Sequence, residues 1–184
     1  MKDTKVQIVE SAITVFNTDY SASLDMVAEK AGIHRRTLHL YFGNRQALIA
    51  CCKAEMMTTC QQAMTVAYQA SSDPAKQLEL MLYAGIDCGA KYAFLDKIYG
   101  HTAYGDVTQD EKNGTYDSIK AKWFKVIASL QQNGLVNQQL SIAWIFALFG
   151  SMITNTINVS NSGDVAQNDI KAFAWYSFSK SIGL

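Results

Sequence analysis

The stretch from Ser23 to Leu48, SLDMVAEKAGIHRRTLHLYFGNRQAL, decides the fold. Ser23 can cap a short helix over Leu24 to Lys30, in which Leu24, Val27 and Ala28 share one side. Ala31-Gly32-Ile33 breaks that helix, and Gly32 supplies the positive φ with which a helix ends tightly. A second short helix is predicted from His34 to Tyr41, closed by Gly43-Asn44. Two short helices on a glycine-bearing turn make the helix-turn-helix pattern, whose second helix is shaped to enter a DNA major groove.

Helical spacing sorts the second helix into columns. Leu38 and Phe42 are four apart and, with Ile33, anchor it inward. Arg35 and His39 then form one outward column, Arg36 and Leu40 another, and Thr37 and Tyr41 flank them. From Lys30 to Ala54 there are five Lys/Arg residues and no Asp or Glu, in a chain whose formal net charge is zero. Such a local excess of cations suits phosphate neutralisation; an ordinary solvated basic face is the plain alternative.

Working outward, Val6, Val9, Ile13 and Phe16 give a first helix from Thr4 to Asn17, with Asp3 as its cap. Asn44 caps a long helix, Arg45 to Ala70. Ser71-Ser72-Asp73-Pro74 is the clearest break, with Asp73 capping a helix that starts at Pro74 and carries Leu78, Leu82 and Ile86. A short aromatic helix from Lys91 to Gly100, a connection from His101 to Val107 and a helix from Thr108 to Asn133 follow, the last ended by Gly134. Two final helices are expected at Gln138 to Asn158 and Val165 to Ile182. Strand-like alternation is absent, so the expectation is all-α with about nine helices. The expected division is a helix-turn-helix domain over 1–46 and a helical regulatory and dimerisation domain over 47–184.

The chain has 184 residues, 49% of them hydrophobic, and a single proline, Pro74, which fits a folded core and not a disordered chain. The amino-terminal MKDTKVQIVESAITVF lacks an apolar core and a small-residue cleavage site, so no signal peptide is expected. The longest apolar stretch, Ile142 to Ile153, falls short of the roughly twenty residues that span a bilayer. A cytoplasmic protein with no membrane partner is therefore expected.

Cys51, Cys52, Cys60 and Cys88 form no CxxC pair and are read as reduced thiols. No GxGxxG, GxSxG, P-loop or HExxH pattern occurs, and His101, Asp106 and Asp110 are irregularly spaced for a metal site. Neither catalysis, a cofactor nor a metal is expected.

Residues 8 to 49 resemble the DNA-binding domain of the TetR family of transcriptional regulators. The resemblance lies in Ile8-Val9-x-x-Ala12 with Phe16, Tyr20-x-x-Ser23-Leu24-x-x-Val27-Ala28, Ala31-Gly32-Ile33, Thr37-Leu38-x-x-Tyr41-Phe42 and Asn44-Arg45-x-x-Leu48. Asp19 stands where the family usually has glycine, His34 where it often has serine, Arg36 where it has a small residue and His39 where it has tyrosine. The departures therefore gather at base-facing positions. The resemblance implies phosphate contacts from Ser23, Thr37, Tyr41 and Arg45, all of suitable chemistry. It places Arg35, Arg36 and His39 at base edges, with Leu40 against a thymine methyl.

One such motif reads few bases, so a homodimer on two half-sites of a double-stranded operator is expected. Ile142 to Phe149 is apolar all round, and part of its burial is assigned to a second subunit. Trp144, Leu148, Met152, Phe173 and Phe178 are the expected interface residues, as the resemblance to the family's two-helix interface implies; a central helix of a monomer core is the alternative. The resemblance also implies a small-molecule inducer pocket, for which Tyr83, Asp87, Tyr99, His101, Tyr116 and Trp123 are candidates, although aromatic residues suit an ordinary core equally. The expected function is a repressor released from its operator by that ligand. A redox-responsive regulator using Cys51, Cys52 and Cys60, or a helical interaction module without DNA binding, are the alternatives.

Overall fold

A computed structural model describes residues 3–95 and 116–184, the side chains of 116–118 excepted. Eight helices lie among the described residues: α1 (Thr4–Thr18), α2 (Leu24–Lys30), α3 (Arg35–Phe42), α4 (Arg45–Gln69), α5 (Pro74–Lys91), α6 (Tyr116–Gln132), α7 (Ile142–Ser162) and α8 (Gln167–Ser181). No strand occurs among them, and the fold is all-α as expected. Most of the expected short helix at Lys91 to Gly100, the connection after it and the start of the helix at Thr108 lie outside the described residues.

The chain forms two compact units, Met1–Thr58 with Lys91–Ala103 and Thr59–Ala90 with Tyr104–Leu184. In the first, α1 buries Ile8, Val9, Ala12, Ile13 and Phe16, a 3.6-residue stripe that packs on α2. Val27 and Ala28 of α2 and Leu38 and Phe42 of α3 are buried too, as are Leu48 and Cys52 of α4. Gln7 reaches from α1 to donate to the Ala31 carbonyl at 2.7 Å, fixing α1 against the turn. Asn17 clamps a distant piece of chain: its amide nitrogen donates to Lys91 O at 2.6 Å and its Oδ1 accepts from Phe94 N–H at 3.0 Å. The Phe16 and Phe94 rings meet beside it, with centroids 5.6 Å apart.

The second unit is a helical core. Leu78, Met81, Leu82 and Ile86 of α5 and Trp123, Val126, Ile127 and Leu130 of α6 are buried with Ile145, Phe149 and Ile153 of α7 and Ala174 and Phe178 of α8. Gly85 and Gly89 let α7 approach α5 closely. A Cβ on Gly85 would stand 2.6 Å from Ile153 Cδ1, and one on Gly89 2.8 Å from Ile153 Cγ2. The α6–α7 turn is held by Gln131, which donates to Asn137 O and Leu140 O.

α7 begins at Ile142, where its apolar run begins and four residues later than the start expected at Gln138. Asn137 Oδ1 accepts from Gln139 N–H, bending the chain, and Ser141 then caps α7 by accepting from Trp144 N–H.

Candidate nucleic-acid interface

α2 is capped by Ser23, whose hydroxyl accepts from Met26 N–H at 3.4 Å. At its other end Gly32, at φ 66°, donates to Glu29 O while Ile33 N–H donates to Ala28 O, the paired bonds of a Schellman close. The chain therefore leaves α2 in a fixed direction and starts α3 after a four-residue turn, 31–34. Leu38 is wholly buried and Phe42 nearly so, which turns the intervening positions of α3 outward. α3 ends at Gly43, whose φ of 60° and N–H bond to His39 O halt it before Asn44 caps α4 through Ala47 N–H at 2.9 Å.

Leu40 is 79% exposed. Arg36 is exposed, with no ion pair or side-chain hydrogen bond among the described residues. Tyr41 is also exposed, while Thr37 is half-buried beside it. Arg35 is partnered: its Nη1 lies 2.8 Å from Asp25 Oδ2, and its Nε donates to His39 Nε2 at a long 3.4 Å. His39 Nδ1 stands 3.0 Å from Gly43 O. One convex surface thus gathers Arg35, Arg36, His39, Leu40 and Tyr41, with Ser23 at the α2 N-terminus of the same unit.

Arg45 is placed differently from the other expected contacts. Its guanidinium lies over the Phe16 ring, 4.8 Å from the centroid, and its Nη2 donates to the Tyr20 carbonyl. Its Nε is buried without a hydrogen-bond partner. The side chain braces the α1–α2 corner, a role that spacing from α3 alone does not reveal. Nearby, Ser21 holds the Asp19 carboxylate below its ordinary range through its hydroxyl and its N–H, with Arg45 adding a smaller effect.

Cys52 is fully buried, and burial foremost, then the neighbouring Cys51, pushes its thiol up to about 12. A thiol so held is a poor nucleophile at neutral pH, which speaks against a redox role centred on it. Cys51 and Cys60 are half-buried, and all four cysteines are unbridged.

In the second unit, α7 buries one stripe, Ile145, Phe149, Ile153, Thr156 and Ile157, half-buries Phe146, Leu148 and Met152, and exposes Ala143, Trp144 and Ala147. By length and composition it could cross a membrane, yet only 28% of that stretch is buried. Trp144 is 57% exposed, and on α8 Phe173 and Tyr176 are 57% and 66% exposed. Leu148 and Met152 are half-buried. A groove of about 180 Å³ runs between α7 and α8, with Met152, Thr156, Ile170 and Phe173 among its walls. Phe178, expected at an interface, is instead wholly buried, its ring 5.6 Å from that of Phe149. It shares a column with Ile170, Ala174 and Ile182, all buried, so it serves the subunit's own core. Tyr176 was not singled out from the sequence, although its three-residue spacing from Phe173 puts both on the opposite face.

Of the expected pocket residues, Tyr83, Asp87 and Trp123 have side chains among the described residues. Trp123 is core, edge-on to Phe124, Phe146 and Phe149, with an indole N–H that has no partner among the described residues. The Tyr83 hydroxyl donates to Glu79 Oε1 at 2.9 Å; burial and that bond push it up to about 12. Asp87 pairs with Lys171 at 2.7 Å. Tyr99 and His101 lie outside the described residues, as do Asp106, Asp110 and the Tyr116 side chain. Among the described residues no group of three or more acidic, Cys or His side chains could hold a metal.

Helices α1 to α3, a fixed turn and an outward face of arginine, leucine and tyrosine define a helix-turn-helix protein of the DNA-binding regulator class. Residues 8–51 match the family model for bacterial regulatory proteins of the tetR family. These residues are thus a TetR-family N-terminal domain, and the chain around them has the fold of TetR-like regulators. The regulator LfrR from Mycobacterium smegmatis, in complex with proflavine, is 16% identical over 98% of this chain and 96% of its own, with a TM-score of 0.74. A TetR family transcription regulator from Marinobacter aquaeolei VT8 is 13% identical, covering 97% and 95%, with a TM-score of 0.69. The fatty acid degradation regulator FadR from Bacillus halodurans is 14% identical, covering 98% and 94%, with a TM-score of 0.67. No curated protein sequence matches the chain.

Proposed function

We propose that the protein is a dimeric, non-catalytic transcriptional regulator of the cytoplasm that represses by binding an operator and leaves it when a small molecule binds the helical body. The observation that carries the DNA-binding part is the α2–turn–α3 unit with Arg36 and Leu40 exposed and Leu38 and Phe42 buried. α3 enters the major groove; Arg35, Arg36 and His39 face base edges and Leu40 packs on a thymine methyl. Ser23, Thr37 and Tyr41 lie against phosphates, and Arg45 adds its charge to that surface while bracing the corner behind it.

The exposed Trp144 of α7, with the half-buried Leu148 and Met152 on the same helix, and the exposed Phe173 and Tyr176 of α8 support pairing with a second copy. Exposed apolar side chains gathered on one face are what contact between subunits uses. The small-molecule part draws on the proflavine complex of LfrR and is the finer reading. Unequal affinity of the ligand for two conformations would lower operator affinity by that difference.

Electrophoretic mobility shift with DNA from upstream of the protein's own gene, across a salt series, tests the proposal. A retarded band whose affinity falls steeply with salt is expected. No shift, or one indifferent to salt, would overturn it.

A further inference from the structure

Arg35 is an expected base-reading side chain that the free protein already holds in place. A guanidinium carries five N–H donors. Here the Nε–H is directed at His39 Nε2 and one Nη1–H at Asp25 Oδ2. Three donors are left, one on Nη1 and two on Nη2. A guanine O6/N7 pair needs one donor from each of two neighbouring nitrogens, and Nη1 and Nη2 still offer that fork.

His39 is itself fixed. Its Nε2 can accept from Arg35 only in the tautomer protonated at Nδ1, and Nδ1 then donates to Gly43 O at 3.0 Å, since a carbonyl can only accept. Both ring nitrogens are thereby engaged within the unit. Asp25 sits in the first turn of α2, so the chain Asp25–Arg35–His39–Gly43 spans both helices of the motif and the glycine that ends the second. The Arg35–Asp25 pair is mostly exposed, and such pairs contribute little to folding. Its geometry, by contrast, fixes the plane of an arginine that would otherwise sample many rotamers.

We propose that Asp25 and His39 are positioning residues that orient Arg35 to read a guanine, with His39 acting through Arg35 in place of the base contact assigned to it above. The proposal rests on the DNA-binding reading above. It turns a carboxylate beside a phosphate-binding surface from an electrostatic liability into a source of sequence preference.

A pool of randomised double-stranded DNA, enriched on the full chain and sequenced, provides the test, with circular dichroism confirming that each variant is folded. The wild type is expected to select a half-site with one guanine whose preference disappears in Arg35→Ala. Asp25→Asn and His39→Ala are expected to lower the preference at that same base pair by about tenfold, leaving other positions unchanged. Affinity for non-specific DNA should hold steady or rise in Asp25→Asn, since a negative charge is removed. Were Asp25 merely a repelling charge, Asp25→Asn would tighten every sequence alike and keep the guanine preference, and the proposal would fall. A change at a different base pair in His39→Ala would assign His39 its own base and overturn its positioning role. No enrichment by the wild type would overturn the DNA-binding reading itself, and this one with it.

Discussion

Arg36 stands exposed on α3 with no partner, whereas Arg45 lies on the Phe16 ring and donates to the Tyr20 carbonyl. The two arginines should therefore fail differently. Arg36→Ala is expected to relax base preference at one position, by roughly 1–3 kcal/mol, without altering thermal stability. Arg45→Ala is expected to weaken all sequences alike and flatten the salt dependence. It should also lower unfolding free energy by about 1–2 kcal/mol through the lost ring contact and hydrogen bond. Binding isotherms on matched and mismatched duplexes, beside denaturant melts, check both. Sequence spacing identified both cations, but not the inward turn of Arg45, because its partners lie 25 or more residues away in the chain. Cys52 gives a third test at this scale. Its thiol, raised by burial to about 12 from an ordinary 9.0, keeps its proton in the fold when the unfolded chain has lost it. Stability from this group is complete below about pH 9 and declines as pH rises from there towards 12. In that window Cys52→Ala is expected to reduce the alkaline slope by up to ~1.4 kcal/mol per pH unit. An unchanged slope in alkaline denaturant melts would contradict the burial argument.

At the scale of elements, caps carried most of the legible information. Asp3, Ser23, Asn44 and Asp73 each accept from the backbone N–H of the second or third residue of the helix they open, and Gly32, Gly43 and Gly134 have the positive φ their positions require. The expected start of α7 at Gln138 was four residues early, because nothing in helical periodicity shows that Asn137 turns the chain and that Ser141 is the cap. The α5–α7 contact was equally hidden, since a glycine in a helix announces nothing about its neighbour. Gly85 and Gly89 predict a graded outcome. An alanine at 85 meets the far end of Ile153, which can rotate away, and gains helix propensity, so Gly85→Ala should be close to neutral. An alanine at 89 meets the branch methyl of Ile153, which moves only with the helix, so Gly89→Ala should cost about 1–3 kcal/mol. Calorimetric melts of the pair check the order; equal effects would contradict it. On the outer face, Trp144→Glu places a charge on the most exposed aromatic residue of α7 and is expected to leave a monomer in sedimentation velocity, with operator binding weakened by loss of the second half-site.

For the whole molecule, the helical class and the head's anchoring residues could be read from periodicity, while the ligand chemistry could not. Tyr83, Asp87 and Trp123 have the composition of a pocket, yet a hydrogen bond, an ion pair and a core of phenylalanines account for their surroundings. One consequence concerns how the chain is made. Asn17 grips Lys91 and Phe94 from 74 and 77 residues away, and Phe16 finds its ring partner there as well. On the ribosome the first 58 residues emerge with that clamp still empty, so the DNA-binding head reaches its final packing only after translation has passed residue 95. A head transplanted onto another body would need residues 91–95 to travel with it. Closing so long a loop costs only slightly more entropy than closing a shorter one. The delay therefore falls on the timing of assembly more than on its final stability.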